Sequence, residues 1–158
     1  MLAPQPFMIR FLKNLLKSKT ETFKDKTNFK ELVSKKEVQE LFKLINSYSN
    51  ESEVRFVGGC VRKLINNEVV DDIDLSTNLR PEKVIEILKN YNINFYETGI
   101  NHGTVTAVIN DKSFEITSLR KDIKTDGRHA QVEYTKDWLD DASRRDFTIN
   151  AIYSDIEG

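Results

Sequence analysis

Cysteine occurs once in the 158 residues, at Cys60, so no internal disulfide can form and the fold must stand on packing alone. That usage suits a reducing compartment, and the expected localisation is cytoplasmic. Histidine is nearly as scarce: His102 and His129 are the only two, and they show no paired spacing that would hold a transition metal. No apolar run is long enough to span a membrane. The opening MLAPQPFMIRFLKNLLKS interrupts its apolar residues with cations, which excludes the continuous apolar core of an export signal. Neither the glycine spacing of a dinucleotide fingerprint nor the Lys-Ser/Thr of a P-loop occurs. A net charge of −1 argues against a uniformly basic surface for nucleic acid.

What is present suits one small globular unit. A chain of about 150 residues hides about two thirds of its unfolded surface, enough for a core. Its charge is polarised along the sequence: the first fifty residues carry ten Lys/Arg against five Asp/Glu, and the remainder fourteen against twenty. Residues 1–30 therefore read as a basic N-terminal arm or helix. Met8, Phe11, Leu12 and Leu15 fall at helical spacing, and TETFKDKTN follows as a polar linker. Lys13, Lys17, Lys19, Lys24, Lys26 and Lys30 could follow an RNA backbone, where phosphate contacts give affinity without reading sequence; a solvated lysine-rich arm is the equal alternative.

Residues 31–158 read as the folded domain. Ser34 and Glu37 have capping-box spacing ahead of a helix in which Val38, Leu41, Phe42, Ile45 and Tyr48 form the apolar stripe. Pro81 suits the first turn of another helix, with Val84, Ile85 and Leu88 on one side. Strands at Thr104 to Ile109 and Lys112 to Ser118 flank an Asn-Asp turn as an antiparallel hairpin, with Phe114 and Ile116 facing one way and Glu115 and Thr117 the other. Trp138 is expected as a core anchor.

The chemistry concentrates in FVGGCVRKLINNEVVDDIDLST, residues 56–77. An apolar strand ends at Gly58-Gly59 and a short helix follows. Glycines allow close backbone approach to a phosphate, helix-first amides point at it, and Arg62 adds a fixed charge. Cys60 reads as a small residue packed beside this turn. Further on, Asp72 and Asp74 sit two apart, so on a strand both would project to one side while Ile73 and Leu75 enter the core. Two converging carboxylates repel unless a cation lies between them, and hard oxygen ligands suit Mg²⁺ completed by substrate phosphates.

GGCVR, DDIDLST, HGTV, FEITSLR, TDGRHA and RRDFTINA follow in the order found in the head domain of bacterial class II tRNA nucleotidyltransferases (CCA-adding enzymes) and their sister poly(A) polymerases, of the DNA polymerase β superfamily, and the chain resembles them from about Val54 onward. The resemblance implies an α+β fold, a polymerase-β-type nucleotidyltransferase head with a mixed β-sheet flanked by helices. It implies transfer of nucleotides from ATP and CTP to an RNA 3′ end, most simply tRNA CCA addition, by two-metal phosphoryl transfer with Asp72 and Asp74 as metal ligands. Glu115, on the strand expected beside them, would be the third catalytic carboxylate; a solvent-facing residue of an alternating strand is its alternative. The segment Arg120 to Arg128 corresponds to a loop bordering the family's active site, so Arg120, Asp126 and Arg128 become candidate contacts. In RRDFTINA, Arg144 and Arg145 are assigned to phosphate or to structural pairing with Asp140 and Asp141, Asp146 to the ribose, and Asn150 joins the nucleotide-binding set with Gly58, Gly59 and Arg62. His102 and His129 stay outside the catalytic set.

Two departures stand out. Lys63 follows Arg62 where many members have Asp, and LINN replaces LLGR, removing a turn glycine. The resembled enzymes also continue beyond the equivalent of Gly158 into neck, body and tail, including a base-reading EDxxR motif. The expectation is a catalytic head working with a separate or missing C-terminal tRNA-binding portion. Poly(A) addition, a non-catalytic nucleotide- or RNA-binding module, and a minimal transferase acting on another acceptor stand as the alternatives.

Overall fold

The structure is a computed structural model that describes residues 26–122 and 132–158. The N-terminal amphipathic segment, Lys13, Lys17, Lys19, Lys24, Asp126, Arg128 and His129 lie outside the described residues.

Two helices open the described chain, α1 (Thr27–Ser34) and α2 (Lys36–Asn46). The first begins inside the segment expected to be linker, because Phe29 and Leu32, one turn apart, are both 2% exposed in the core. The capping box does not form. Lys35 is the extended residue between the helices, Ser34 Oγ donates back to the Glu31 carbonyl at 2.8 Å, and Glu37 turns to Lys112 Nζ and Asn110 Nδ2 at 3.0 and 3.2 Å. A charged partner across the fold outcompetes a local cap. Val38, Leu41, Phe42 and Ile45 are buried as their spacing requires, but α2 stops at Asn46, which leaves Tyr48 past its end and exposed.

Next come β1 (Val54–Val57), α3 (Gly59–Ile65), β2 (Ile73–Thr77) and α4 (Pro81–Asn90), the last with Pro81 in its first turn. They are followed by β3 (Asn94–Tyr96), β4 (Thr104–Ile109), β5 (Lys112–Ser118) and the pair β6 (Arg120–Asp122) and β7 (Val132–Tyr134). Helix α5 (Trp138–Ser143) and β8 (Tyr153–Ser154) complete the set. The β4–β5 turn places Asn110 and Asp111 at φ 50° and 60°, the left-handed pair that a two-residue hairpin needs and that Asn and Asp tolerate.

Six strands form one mixed sheet in the order β3-β4-β5-β2-β1-β8, in which only β2 and β5 run parallel. Alternation makes one face apolar: Val54, Phe56, Ile73, Leu75, Val105, Ala107, Phe114 and Ile116 share a single core with the buried faces of α1 to α4. The odd-even partners of those residues, among them Arg55, Asp74, Ser76, Glu115 and Thr117, therefore fall on the opposite face. In the LINN turn, Asn67 adopts φ 56° and joins α3 to α1 by accepting from the Asn28 amide at 3.3 Å. Lys63 meets Asp71 at 3.5 Å, an exposed pair worth little to stability.

Gly103 ends the short 3-10 turn Ile100–His102 at φ 77°, and a Cβ there would lie 2.9 Å from Tyr134 Cε1. Backbone strain and the clash act together, so Gly103→Ala should lower stability by about 1–3 kcal/mol. Urea unfolding checks this, and an unchanged midpoint would contradict the geometry.

Candidate active site

β1 runs into the glycine turn because Gly58 takes φ 63°, a left-handed conformation that reverses the chain into α3. Its amide donates to the Ile152 carbonyl at 2.9 Å, which ties this turn to the C-terminal segment that carries RRDFTINA. The two sequence motifs farthest apart in the site thus share a wall by backbone bonding.

β2 begins at Ile73, so Asp72 lies on the bend just before the strand rather than on it, and is exposed. Asp74 is on the strand, half-buried, and in parallel register with Glu115 on β5. That pairing places the expected third carboxylate beside Asp74. Burial pushes the Asp74 carboxyl up from its usual range, the charges of Glu115 and Asp72 push it further, and Arg145 partly offsets them. Cys60, buried beneath the turn, is pushed up to about 12 by burial first and by Asp74 second, so it is a neutral packing residue.

A cavity of about 470 Å³ opens on this face. Of the residues expected from sequence, Gly58, Gly59, Asp74, Glu115, Arg120, Arg144, Arg145, Asp146 and Asn150 line it together. Asp72 and Arg62 are not in its lining. Arg62 instead donates through Nη1 to Asn150 Oδ1, and Asn150 Nδ2 donates to the Asp146 carbonyl at 3.1 Å. Arg62 thus bonds to the cavity wall through Asn150. The lining also includes His102, Thr104 and Thr117, which the sequence reading had not assigned to the site. The two threonines are register partners with hydroxyls 2.8 Å apart. Their signal was present in the alternation that put Thr117 on the Glu115 face.

Behind the cavity, Asp141 is fully buried and gathers both arginines. Arg144 donates to its Oδ1 through Nε and Nη2 at 3.0 and 2.8 Å, and Arg145 Nε donates to Oδ2 at 3.0 Å. The Arg120 amide and the Tyr153 hydroxyl add bonds at 3.1 and 2.6 Å. Burial alone would raise this carboxyl, but the Tyr153 bond, the Arg145 charge and the Arg120 and Arg144 bonds outweigh it and hold it below the usual carboxylate range. The structural pairing weighed as an alternative to phosphate binding holds for both arginines, through Asp141, while both still line the cavity. Asp140 takes no part in that pairing and accepts from Thr135 Oγ1 at 3.1 Å.

Trp138 is not a core anchor. It lies half-buried against the outer side of this network, with Arg55 4.2 Å above its ring, Tyr153 edge-on at 5.2 Å, and its Nε1 donating to Glu53 at 3.0 Å. An indole whose N–H has a carboxylate partner sits more stably at such an edge than in a wholly apolar core. Phe147, 76% exposed, holds φ 63°, a strained value for an aromatic residue, next to Asp146.

No three or more His, Cys, Asp or Glu side chains among the described residues form a group ready to hold a metal ion. The carboxylates nonetheless suit a hard cation: the donors are oxygens, and after burial it is the charges of Glu115 and Asp72 that raise Asp74. No helix among the described residues is long and apolar enough to cross a membrane.

Known proteins resemble this chain in sequence and in fold. The chain is 45% identical over 107 residues to the human mitochondrial CCA tRNA nucleotidyltransferase 1, covering 67% of this chain and 25% of that protein. It is 38% identical over 108 residues to the CCA-adding enzyme of Lactobacillus johnsonii, covering 67% of this chain and 26% of that one. It thus spans about a quarter of the length of the curated relatives it matches. Among solved structures, the Bacillus stearothermophilus CCA-adding enzyme in complex with CTP superposes with a TM-score of 0.65 at 29% identity, covering 84% of this chain and 29% of that one. A tRNA nucleotidyltransferase complexed with a primer tRNA and an incoming ATP analog gives 0.55 at 21% identity over 73% of this chain and 31% of that one, a likeness of fold alone. The sequence profile described as Poly A polymerase head domain matches residues 54–158, two thirds of the chain, and with the fold and cavity above this chain belongs to the poly(A) polymerase head domain family.

Proposed function

We propose that this chain is the nucleotidyl-transfer head of an enzyme that adds CCA to the 3′ end of tRNA, using CTP and ATP. The observation that carries it is the register pairing of Asp74 with Glu115 on the open face of the sheet, across a cavity from Arg144, Arg145 and Asp146. Acidic and basic groups facing each other over a cavity of this size suit a triphosphate whose α-phosphate meets the carboxylates. The names of the relatives favour CCA over poly(A) addition.

In the reaction, the terminal 3′-hydroxyl of RNA attacks the α-phosphorus, a new P–O bond forms, the bond to pyrophosphate breaks, and the hydroxyl proton passes to solvent. Asp72, Asp74 and Glu115 would hold the divalent cation, Mg²⁺ by the hardness of their oxygens. When bound, the cation supplies neutralising charge to the attacking hydroxyl and to the triphosphate. Arg144 and Arg145 present guanidinium edges to the phosphates, a geometry suited to paired donation. Asp146 accepts from a ribose hydroxyl, and Arg62 fixes the side chain of Asn150 behind it. Gly58 and Gly59 leave room for close approach of the substrate to the backbone. Arg120, whose Nη1 donates to the His102 carbonyl at 2.7 Å, fixes the opposite rim.

The test is incorporation of each labelled nucleoside triphosphate into tRNA lacking CCA, with Mg²⁺, by this chain and by its Asp72→Ala/Asp74→Ala form. The expected result is CTP and then ATP incorporation, lost in the double variant. Open-ended ATP incorporation without CTP would replace the reading with poly(A) addition. Triphosphate binding without incorporation would make this a head that requires a tRNA-binding portion, and no binding at all would overturn it.

A further inference from the structure

Arg144 and Arg145 stand side by side in the cavity lining. Both are held from behind by one carboxylate. Asp141 is 0% exposed, and its two oxygens divide the work: Oδ1 takes Arg144 Nε and Nη2, and Oδ2 takes Arg145 Nε and the Tyr153 hydroxyl. Arg145 is fixed at further points, with Nη2 donating to Ser76 Oγ at 3.3 Å, Nε also reaching Tyr153 Oη at 3.0 Å, and its guanidinium 5.5 Å from the Tyr153 ring. Arg144 Nε also donates to the Arg120 carbonyl at 2.9 Å. The Nη1 nitrogens of Arg144 and Arg145 take no part in the bonds to Asp141.

The charge balance of this cluster is uneven. One buried carboxylate between two guanidinium groups leaves one net positive charge, and both cations line the cavity. A buried carboxylate with several donors costs desolvation energy that a purely structural site could avoid with apolar packing. Placing it here locks flexible side chains in advance, so a phosphate need not spend binding energy on ordering them.

We propose that Asp141, seconded by Tyr153, is the positioning residue that aims Arg144 and Arg145 at the substrate phosphates. This rests on the triphosphate reading above. Asp141 contacts no substrate itself; it acts through the arginines. Charge and geometry make opposite predictions for Asp141→Asn. Removing the carboxylate charge makes the cluster more positive, so attraction alone would tighten triphosphate binding. Loss of the shared anchor lets the arginines part, and binding weakens.

The experiment measures CTP and ATP affinity with Mg²⁺ for the wild type, Asp141→Asn and Tyr153→Phe. It also records the arginine Nε–H resonances by NMR without ligand. Trp138, the only tryptophan and 5.2 Å from Tyr153, reports folding of each variant by fluorescence. The expected result is folded Asp141→Asn with affinity at least tenfold weaker, Tyr153→Phe between it and the wild type, and two exchange-protected arginine resonances that are lost in Asp141→Asn and weakened in Tyr153→Phe. Equal or tighter binding by folded Asp141→Asn overturns the proposal. Should Asp141→Asn not fold, Tyr153→Phe decides: wild-type affinity with unchanged arginine resonances overturns it. Should the wild type bind no triphosphate, the functional reading fails, and the resonances alone decide whether Asp141 holds the arginines.

Discussion

Asp74→Asn should abolish Mg²⁺-dependent triphosphate binding and nucleotidyl transfer while making the protein more stable. Burial and the neighbouring charges of Glu115 and Asp72 raise the Asp74 carboxyl, so the ionised form is less favourable in the folded chain than in the unfolded one. The sign follows. The destabilisation sets in as pH rises above the unfolded value of about 3.8 and is complete once pH exceeds the raised folded value. Removing the charge therefore gains stability at neutral pH, on the order of 1 kcal/mol or about 2–4 °C in Tm, and gains nothing near pH 3. Transfer should fall by at least about a hundredfold. Differential scanning fluorimetry at pH 4 to 8, alongside titration calorimetry with Mg²⁺ and CTP, measures both halves. Cation affinity in the wild type should itself rise with pH over the same window, because binding displaces the proton. A variant less stable at pH 7, or one that keeps its cation-dependent binding, would contradict the assignment of Asp74 as the centre of an uncompensated acidic site.

Asp141→Ala should have the opposite effect on stability. Deleting the carboxylate leaves two half-buried guanidinium groups facing each other, and removal of one partner from such a buried network costs about 3–5 kcal/mol. The pH dependence supplies a second signature. A carboxyl held low in the fold contributes stability that is full above its unfolded value of about 3.8 and fades as pH falls through the lower folded value. Wild-type stability should decline on that acid limb, and the Asp141→Ala curve should be flatter there. Glu37, held at about 2 by its own backbone amide, then Lys112 and Asn110, contributes to the same limb, so Glu37→Gln is the control that separates the two. Urea unfolding from pH 2 to 7 checks this. Parallel wild-type and Asp141→Ala curves would show that the Asp141 network carries no pH-linked stability.

Asp74 and Glu115 were legible because strand alternation is a strictly local rule: once IDL and FEI are strands, their acids leave the apolar face. The hairpin turn at Asn110-Asp111 and the start of α4 at Pro81 were legible for the same reason, since turn and first-turn preferences are set by the residues themselves. Helix ends were less so. The Ser34–Glu37 spacing fits a cap, yet Glu37 binds Lys112, 75 residues later, because an ion pair with a flexible lysine competes with a local bond only once the hairpin is folded against α2.

The residues alone carried the polarity of the chain, the strand and helix periods, the lack of an internal disulfide and, through six ordered motifs, the family. Tertiary structure alone decided which residues meet. It set Asp74 beside Glu115 by making β2 and β5 parallel neighbours. It turned Arg62 from the cavity toward Asn150, moved Trp138 to the edge beside Arg55, and gave both arginines of RRDFTINA one buried partner. The physical reason is range. Propensity and alternation act over a few residues, whereas a buried charge must find its partners wherever the packed chain brings them, and a sequence does not show those distances.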